Sequence, residues 1–397
     1  MNARHRFIAF SLLVSAPFLT PSSAQAASFS TLIKTSLVIE GLTGDNKGNL
    51  YAPGRQPGAG VSCPVYRVNI ANPGTTPTTV GFIPAPSATA QCSPSGLAFD
   101  RAGNLYVADG DKIYKFLPNE TTQPTATVFA TGLPGTNGVA FDKSGNLWTG
   151  DGTTGQGRVW KIGPAGGAGV EMFRVQPMAN DVNIDVDGIG GIGRDARTLP
   201  PGTIDFDALT PRTAANTAGS QPLVANGVAF DKEGNILVAD TARGAIWKAS
   251  FTNSGALKSK TGCDTTFPSN TLCLENILVA HPLLEGADGL ALDNAGNIFV
   301  DANERNAVVV VANDGRVIEV FRNPPDGTTN LRNVTPLEFP ASPFISGIKL
   351  CTSNSDNNRR DNSPNTAGEI KPAGPDRGKI SCMDQPLAVR GLPLPIR

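Results

Sequence analysis

One phrase, written several times over, constrains this chain more than any other feature. Asn137-Gly-Val-Ala-Phe-Asp-Lys-Ser-Gly145-Asn-Leu-Trp returns as Asn226-Gly-Val-Ala-Phe-Asp-Lys-Glu-Gly234-Asn-Ile-Leu. It recurs as Ser95-Gly-Leu-Ala-Phe-Asp-Arg-Ala-Gly103-Asn-Leu-Tyr and as Asp288-Gly-Leu-Ala-Leu-Asp-Asn-Ala-Gly296-Asn-Ile-Phe. Each copy reads as a short apolar strand, a tight turn ending in Gly, and a second alternating strand. The turn residues supply the positive φ that a hairpin requires. A chain that repeats one supersecondary unit buries its core by stacking neighbours.

The turn glycine serves as a ruler for fainter copies. Glu40 stands eight residues before Gly48, and Asn180-Asp-Val-Asn-Ile-Asp-Val-Asp-Gly188 has the same offset. A degenerate copy ends at Gly347. Glycines 48, 103, 145, 188, 234, 296 and 347 are therefore spaced 42 to 62 residues apart. Spacing of this order with strand-only patterning predicts an all-β fold, a β-propeller of seven four-stranded blades, or six if one faint copy is only a loop. Ser36-Leu-Val-Ile-Glu40 is expected to close the ring as the fourth strand of the last blade, with Leu387-Ala-Val-Arg390 as the competing candidate.

The first 26 residues follow another pattern. Arg4, His5 and Arg6 precede an apolar run from Phe7 to Leu19, and Ala24-Gln25-Ala26 supplies a small-residue cleavage site. That is the pattern of a secretory signal peptide. The run is shorter than the ~20 residues of a spanning helix, and no later segment is long enough, so no membrane span is expected. Residues 27–397 are then one propeller domain in a secreted or periplasmic protein. All six cysteines follow the leader, which favours disulfides. The most local pairing is Cys63 with Cys92, Cys263 with Cys273 and Cys351 with Cys382. A formal charge of -1 without basic clusters gives no reason to expect nucleic acid as a partner.

In a propeller the first strand of each blade lines the central channel, so equivalent positions form a ring around one mouth. The residue eight before each turn glycine is Glu40, Ser95, Asn137, Asn180, Asn226 and Asp288, with Phe339 or Pro340 in the degenerate copy. Convergent carboxylate and amide oxygens suit a hard cation such as Ca²⁺. The competing reading is that Asn-Gly and Asp-Gly merely build the turn into the strand.

At these residues the chain resembles the gluconolactonase/regucalcin family and its relatives, the paraoxonases and diisopropyl fluorophosphatases. In that family Glu-Gly opens the first blade, and Asn-Asp-Gly, Asn-Gly and Asp-Gly open later ones. Glu40-Gly41, Asn180-Asp181, Asn226-Gly227 and Asp288-Gly289 are similar to that series in order. Val182 replaces one glycine, and Leu42 stands where a proline commonly follows Glu-Gly. The resemblance implies one divalent metal, Ca²⁺, held by Glu40, Asn180, Asn226 and Asp288. It implies hydrolysis of a small-molecule lactone or ester, with Asp288 as catalytic base or nucleophile and with Ser95 and Asn137 orienting the substrate. A second reading is a non-catalytic NHL-like propeller that binds a protein or glycan on its loop face. A third is a propeller lyase or synthase that uses the pocket without this metal.

Other motifs carry less. Asn183-x-Asp185-x-Asp187-Gly188 imitates the start of an EF-hand loop, but its twelfth position is Arg194 rather than the bidentate Glu. His281, the one histidine after the leader, falls in an outer strand with no Gly-x-Ser-x-Gly elbow to serve.

Overall fold

The computed structural model describes residues 28–176, 224–303, 306–322, 336–355 and 377–396. Within them, six antiparallel blades surround one channel. Blade I has an inner strand in two pieces, Val38–Ile39 and Thr43–Gly44, followed by Asn49–Arg55, Cys63–Asn69 and Thr78–Ile83. Blade II comprises Leu97–Phe99, Leu105–Asp109, Lys112–Phe116 and Thr127–Thr131, with Gly167–Ala168 pairing in parallel outside it. Blade III comprises Thr136–Phe141, Leu147–Asp151, Arg158–Ile162 and Val170–Arg174. Blade IV comprises Val228–Phe230, Ile236–Asp240, Ala245–Ala249 and Ile277–Ala280. Blade V comprises Ala287–Leu292, Ile298–Ala302, Ala307–Val311 and Val317–Arg322. Blade VI comprises Pro340–Ser346, Lys349–Asn354 and Gly378–Asp384, and takes its outer strand, Ser30–Thr35, from the other end of the chain.

The ring therefore has six blades, the smaller of the two expected numbers. The Gly188 copy lies outside the described residues. The inner strand of blade III sits directly against that of blade IV, with Gly138 N donating to Asn226 O at 3.1 Å. Similar contacts join blades II and III (Gly96 N to Asn137 O, 3.0 Å) and blades IV and V (Gly227 N to Asp288 O, 3.1 Å). No ring position is left between blades III and IV for a seventh unit.

The repeated phrase explains the hairpins atom by atom. In blade III the Asp142 carboxylate accepts from Ser144 N and Asn146 N, both at 2.9 Å, and from Asn146 Nδ2 at 2.8 Å. Asp100 and Asp293 repeat this arrangement in blades II and V. The Asp thus stands in for the missing strand partner at the turn. Gly145 completes that turn at φ +82°, where a side chain would be strained. The second strands, including Leu105–Asp109 and Ile236–Asp240, are buried along their whole length. Each is covered by a neighbouring blade on both faces, so it reads as a continuous apolar run. Trp148, Phe173, Phe230 and Trp247 form one such interblade core between blades III and IV.

Closure differs in detail from expectation. Ser30–Thr35, just before the predicted Ser36–Glu40, pairs with Gly378–Asp384. Leu387–Arg390 joins no blade. Instead, the C-terminal residues cross the hairpin face. Gly391 N donates to Gly347 O (3.0 Å) and Leu392 N to Leu292 O (2.8 Å), while Asn46 Nδ2 reaches Leu394 O (3.0 Å). Leu392, Leu394 and Pro395 meet the inner strands at that end of the channel.

The three disulfides pair as expected: Cys63–Cys92, Cys263–Cys273 and Cys351–Cys382. The last joins directly opposite residues of adjacent strands in blade VI. Cys263–Cys273 pins the long connection within blade IV. Three such bonds point to an oxidising compartment. No helix among the described residues is long and apolar enough to cross a membrane.

Candidate functional site at the channel mouth

Five of the six polar ring residues lie in described positions; Asn180 lies outside them. Glu40, Ser95, Asn137, Asn226 and Asp288 each open an inner strand at the end of the channel opposite the C-terminal crossing. Local irregularity aims them. The ladder slips between Thr136 and Val139, between Ala287 and Leu290, and between Pro340 and Ser342, so Asn137 and Asp288 sit on β-bulges. Ala225, just before Asn226, is held at φ +54°, a conformation costing about 1–3 kcal/mol for a residue with a side chain. The Gly after each ring residue permits close approach. A methyl on Gly138 would stand 2.8 Å from Gly227 Cα.

A second set of residues, which sequence reasoning missed, decides the state of each ring side chain. They stand fifteen positions later, at the end of the second strand of the same blade or one residue past it. Arg55 forms an ion pair with Glu40, and both side chains are 14% exposed. Thr241 Oγ1 accepts from Asn226 Nδ2 at 2.9 Å and donates to Ala287 O at 2.6 Å. Asn303 Nδ2 donates to Asp288 Oδ2 at 3.0 Å. Opposite Asn137 stands Gly152, whose missing side chain leaves room. A methyl there would lie 2.7 Å from Asn137 Nδ2 and 2.9 Å from Asn226 Oδ1. The same ruler, counted seven residues forward from each turn glycine, would have found all four.

The ring residues converge along one arc. Asn137 Nδ2 donates to Glu40 Oε1 at 3.4 Å, and Asn137 and Asn226 meet over Gly152. Asp288 adjoins Asn226 through the backbone bond from Gly227. Ser95 is buried, and its hydroxyl is directed at Thr136 O and Asn137 O, at 3.2 and 3.3 Å, so toward a ligand it can only accept. The degenerate copy contributes no polar ring side chain at Phe339 or Pro340. Blade VI instead returns Ser353, whose hydroxyl bonds Glu40 O.

The donor set fits a hard cation in one specific respect. Asn226 Oδ1 is buried and accepts no hydrogen bond, an arrangement costing about 1–3 kcal/mol unless something electropositive faces it. The chemistry is all oxygen: two carboxylates and an amide. No group of three His, Cys, Asp or Glu residues converges among the described residues, so any cation here relies on amide oxygens beside the acids. His281 has no part in the site; its Nδ1 accepts from Leu283 N at 3.1 Å in an outer turn.

Two buried acids stand close by. Asp301, two residues before Asn303, is fully buried. Desolvation pushes its carboxyl well above the ordinary range, and only the Thr352 hydroxyl opposes this. Asp109 is also raised by desolvation, against the bond from Ser93 N and the charge of Arg55.

Comparison with known proteins agrees with the propeller fold. No curated protein matches the chain. Among solved structures, a luciferin-regenerating enzyme aligns at 12% identity with a TM-score of 0.53, covering 92% of this chain and 97% of that one. Regucalcin from Agrobacterium tumefaciens, described as a calcium-binding protein, aligns at 14% identity and 0.50, covering 92% and 95%. A PQQ-bound aldose sugar dehydrogenase from Streptomyces coelicolor aligns at 15% and 0.50, covering 91% and 99%. At such identities these likenesses establish the propeller fold alone. The family comparison is narrower and falls on the site: residues 174–332, which carry Asn226, Asp288 and both of their strand partners, match the SMP-30/gluconolactonase/LRE-like region.

Proposed function

We propose that this chain is an exported, metal-dependent hydrolase of small lactones or esters, working at the channel mouth. The observation that carries the reading is the arc from Glu40 through Asn137 to Asn226, on which a buried amide oxygen is left without a donor. Glu40, Asn226 and Asp288 would hold a divalent cation, Ca²⁺ by its preference for oxygen, with Asn180 as a further candidate. When bound, such an ion polarises a carbonyl oxygen.

The chain's own residues supply the rest. Asp288, one oxygen fixed by Asn303, would take a proton at its carboxylate or attack as nucleophile. Asn137 spans the gap to Glu40 and can hydrogen-bond a substrate oxygen at the same mouth. Ser95 can accept a hydrogen bond from a substrate hydroxyl. The secretory leader and the three disulfides favour a secreted or periplasmic site of action. The experiment is elemental analysis of the purified protein, then a lactone and aryl-ester screen with and without chelator. A metal-free protein that turns over none of these substrates would leave the non-catalytic, NHL-like binding propeller as the better reading.

A further inference from the structure

We propose that Arg55 is a two-position residue: it competes with a divalent cation for Glu40, and Asp109 is the place it moves to when the cation wins. The cation half of this rests on the metal reading above. The two positions themselves follow from the residues around the guanidinium.

The first position is the ion pair with Glu40. The guanidinium also donates through Nε and Nη2 to Ser93 Oγ, at 3.0 and 2.6 Å. Glu40 is thus neutralised by the protein's own cation. A divalent ion coordinated by Glu40 would face a guanidinium across a single carboxylate, in surroundings where like charges are poorly screened. One of the two cations must leave.

The second position is visible by comparing three equivalent acids. Asp109, Asp151 and Asp240 each stand six residues past their turn glycine. Asp151 accepts from Arg158 Nε at 2.8 Å. Asp240 accepts from Arg243 Nη1 and from Trp247 Nε1, both at 2.9 Å. Asp109 holds no arginine. Its Oδ1 takes Ser93 N at 2.9 Å, while its Oδ2 is buried and accepts no hydrogen bond. Ser93 therefore touches both Arg55 and Asp109, one through its hydroxyl and the other through its amide. The charged groups that act on Asp109 are Arg55, Lys112 and Asp111. Lys112 is itself engaged with Asp111 at 2.8 Å. Arg55 is the cation able to complete in blade II what Arg158 and Arg243 complete in blades III and IV, and Ser93 is the pivot.

The test uses the mature full-length protein with Ca²⁺ as titrant in a calorimeter, after chelator treatment. Arg55→Gln is expected to bind Ca²⁺ at least tenfold more tightly than the parent. Asp109→Asn is expected to bind severalfold more weakly, because the displaced guanidinium loses its acceptor. The double variant should match Arg55→Gln, since Asp109 matters only through Arg55. Equal affinities for parent and Arg55→Gln would overturn the competition. So would an Asp109→Asn effect that persists without Arg55.

A metal-free arm isolates the two positions from the metal reading. Thermal unfolding in chelator, run as a double-mutant cycle on Arg55 and Asp109, should show only weak coupling with Glu40 present, through the charge of Arg55 and the shared Ser93, and clearly stronger coupling in the Glu40→Gln background. Stronger coupling there without Ca²⁺ binding by any variant would sink the metal reading and keep the two-position arginine. Coupling no greater than with Glu40 present would sink the two-position arginine whatever the metal does.

Discussion

Glu40 and Asp288 open equivalent strands in blades I and V, yet the residues fifteen positions later that meet them differ in charge. Asp288 is held by a neutral amide, Asn303, which orients the carboxylate without cancelling its charge. Glu40 is held by Arg55, which does cancel it. Asn226, beside Asp288 in the ring, has the neutral Thr241. Inside the family-matched segment, Asn303 and Thr241 orient their ring residues through neutral hydrogen bonds, whereas outside it Arg55 meets Glu40 with a charge. What a ring residue can do depends on the residue fifteen positions later as much as on its own identity.

The sharpest way to break this comparison is to remove the acid that Asn303 orients. Asp288→Asn keeps the shape and the possibility of a bond to position 303, and should lower lactone or ester turnover about 10²–10⁴-fold, the usual range for a positioned acid or base. Assays of kcat/KM on whichever substrate the screen identifies would read it. Turnover within tenfold of the parent would remove Asp288 from the chemistry. A smaller effect is expected from its orienter. Asn303→Ala should cost about 10–100-fold in cation affinity or activity, as outer-shell partners do. An equal loss on replacing Thr241 with Val would show that the two neutral partners work alike.

Gly152 offers a steric test on the same arc. Gly152→Val would press on Asn137 Nδ2 and Asn226 Oδ1 together. Overpacking of this kind costs about 1–3 kcal/mol, so the protein should still fold. The expected signature is a severalfold loss of cation affinity in calorimetry with a modest loss in melting temperature. An unchanged affinity would mean that the two amides need not meet.

The parts of this picture legible in the sequence are those that depend on local geometry. Asp142, Gly145 and their equivalents define the hairpin by short-range bonds, so the repeat, the fold class and the ring offset could all be read from spacing. The cysteine pairs were legible because each lies within a single stretch of chain. The blade count was not, because Asn180–Gly188 carries the right letters. Only the contact between Gly138 and Asn226 shows that blade III already meets blade IV. Closure was placed one segment too late, since Ser30–Thr35 and Ser36–Glu40 both look like strands and only pairing with Gly378–Asp384 separates them. The strand partners went unread for a different reason. Arg55, Thr241 and Asn303 share no chemical type, so nothing in their identities announces a common role.

Asp301 gives the mildest test and extends the contrast inward along the strand that precedes Asn303. It stands at the site of Ala108 and Ala239 in blades II and IV, counting five residues from the turn glycine, so a carboxyl occupies a place where the repeat puts a methyl. Burial holds it protonated in the folded protein well above the ordinary carboxylate range. The sign follows directly. Once pH exceeds that ordinary range, the unfolded chain has released this proton and the folded chain has not, so the folded state binds more protons and stability falls as pH rises toward the folded value. Asp301→Asn removes the titration and keeps a partner for Thr352. Its advantage in melting temperature should therefore be small at pH 4 and grow by pH 8 to about 1–2 °C, which is roughly 1 kcal/mol for a chain of this length. Melting curves of the two proteins between those pH values check it. Parallel curves would mean that Asp301 is ionised in the fold and that a cation, or a shift of Thr352, meets it there.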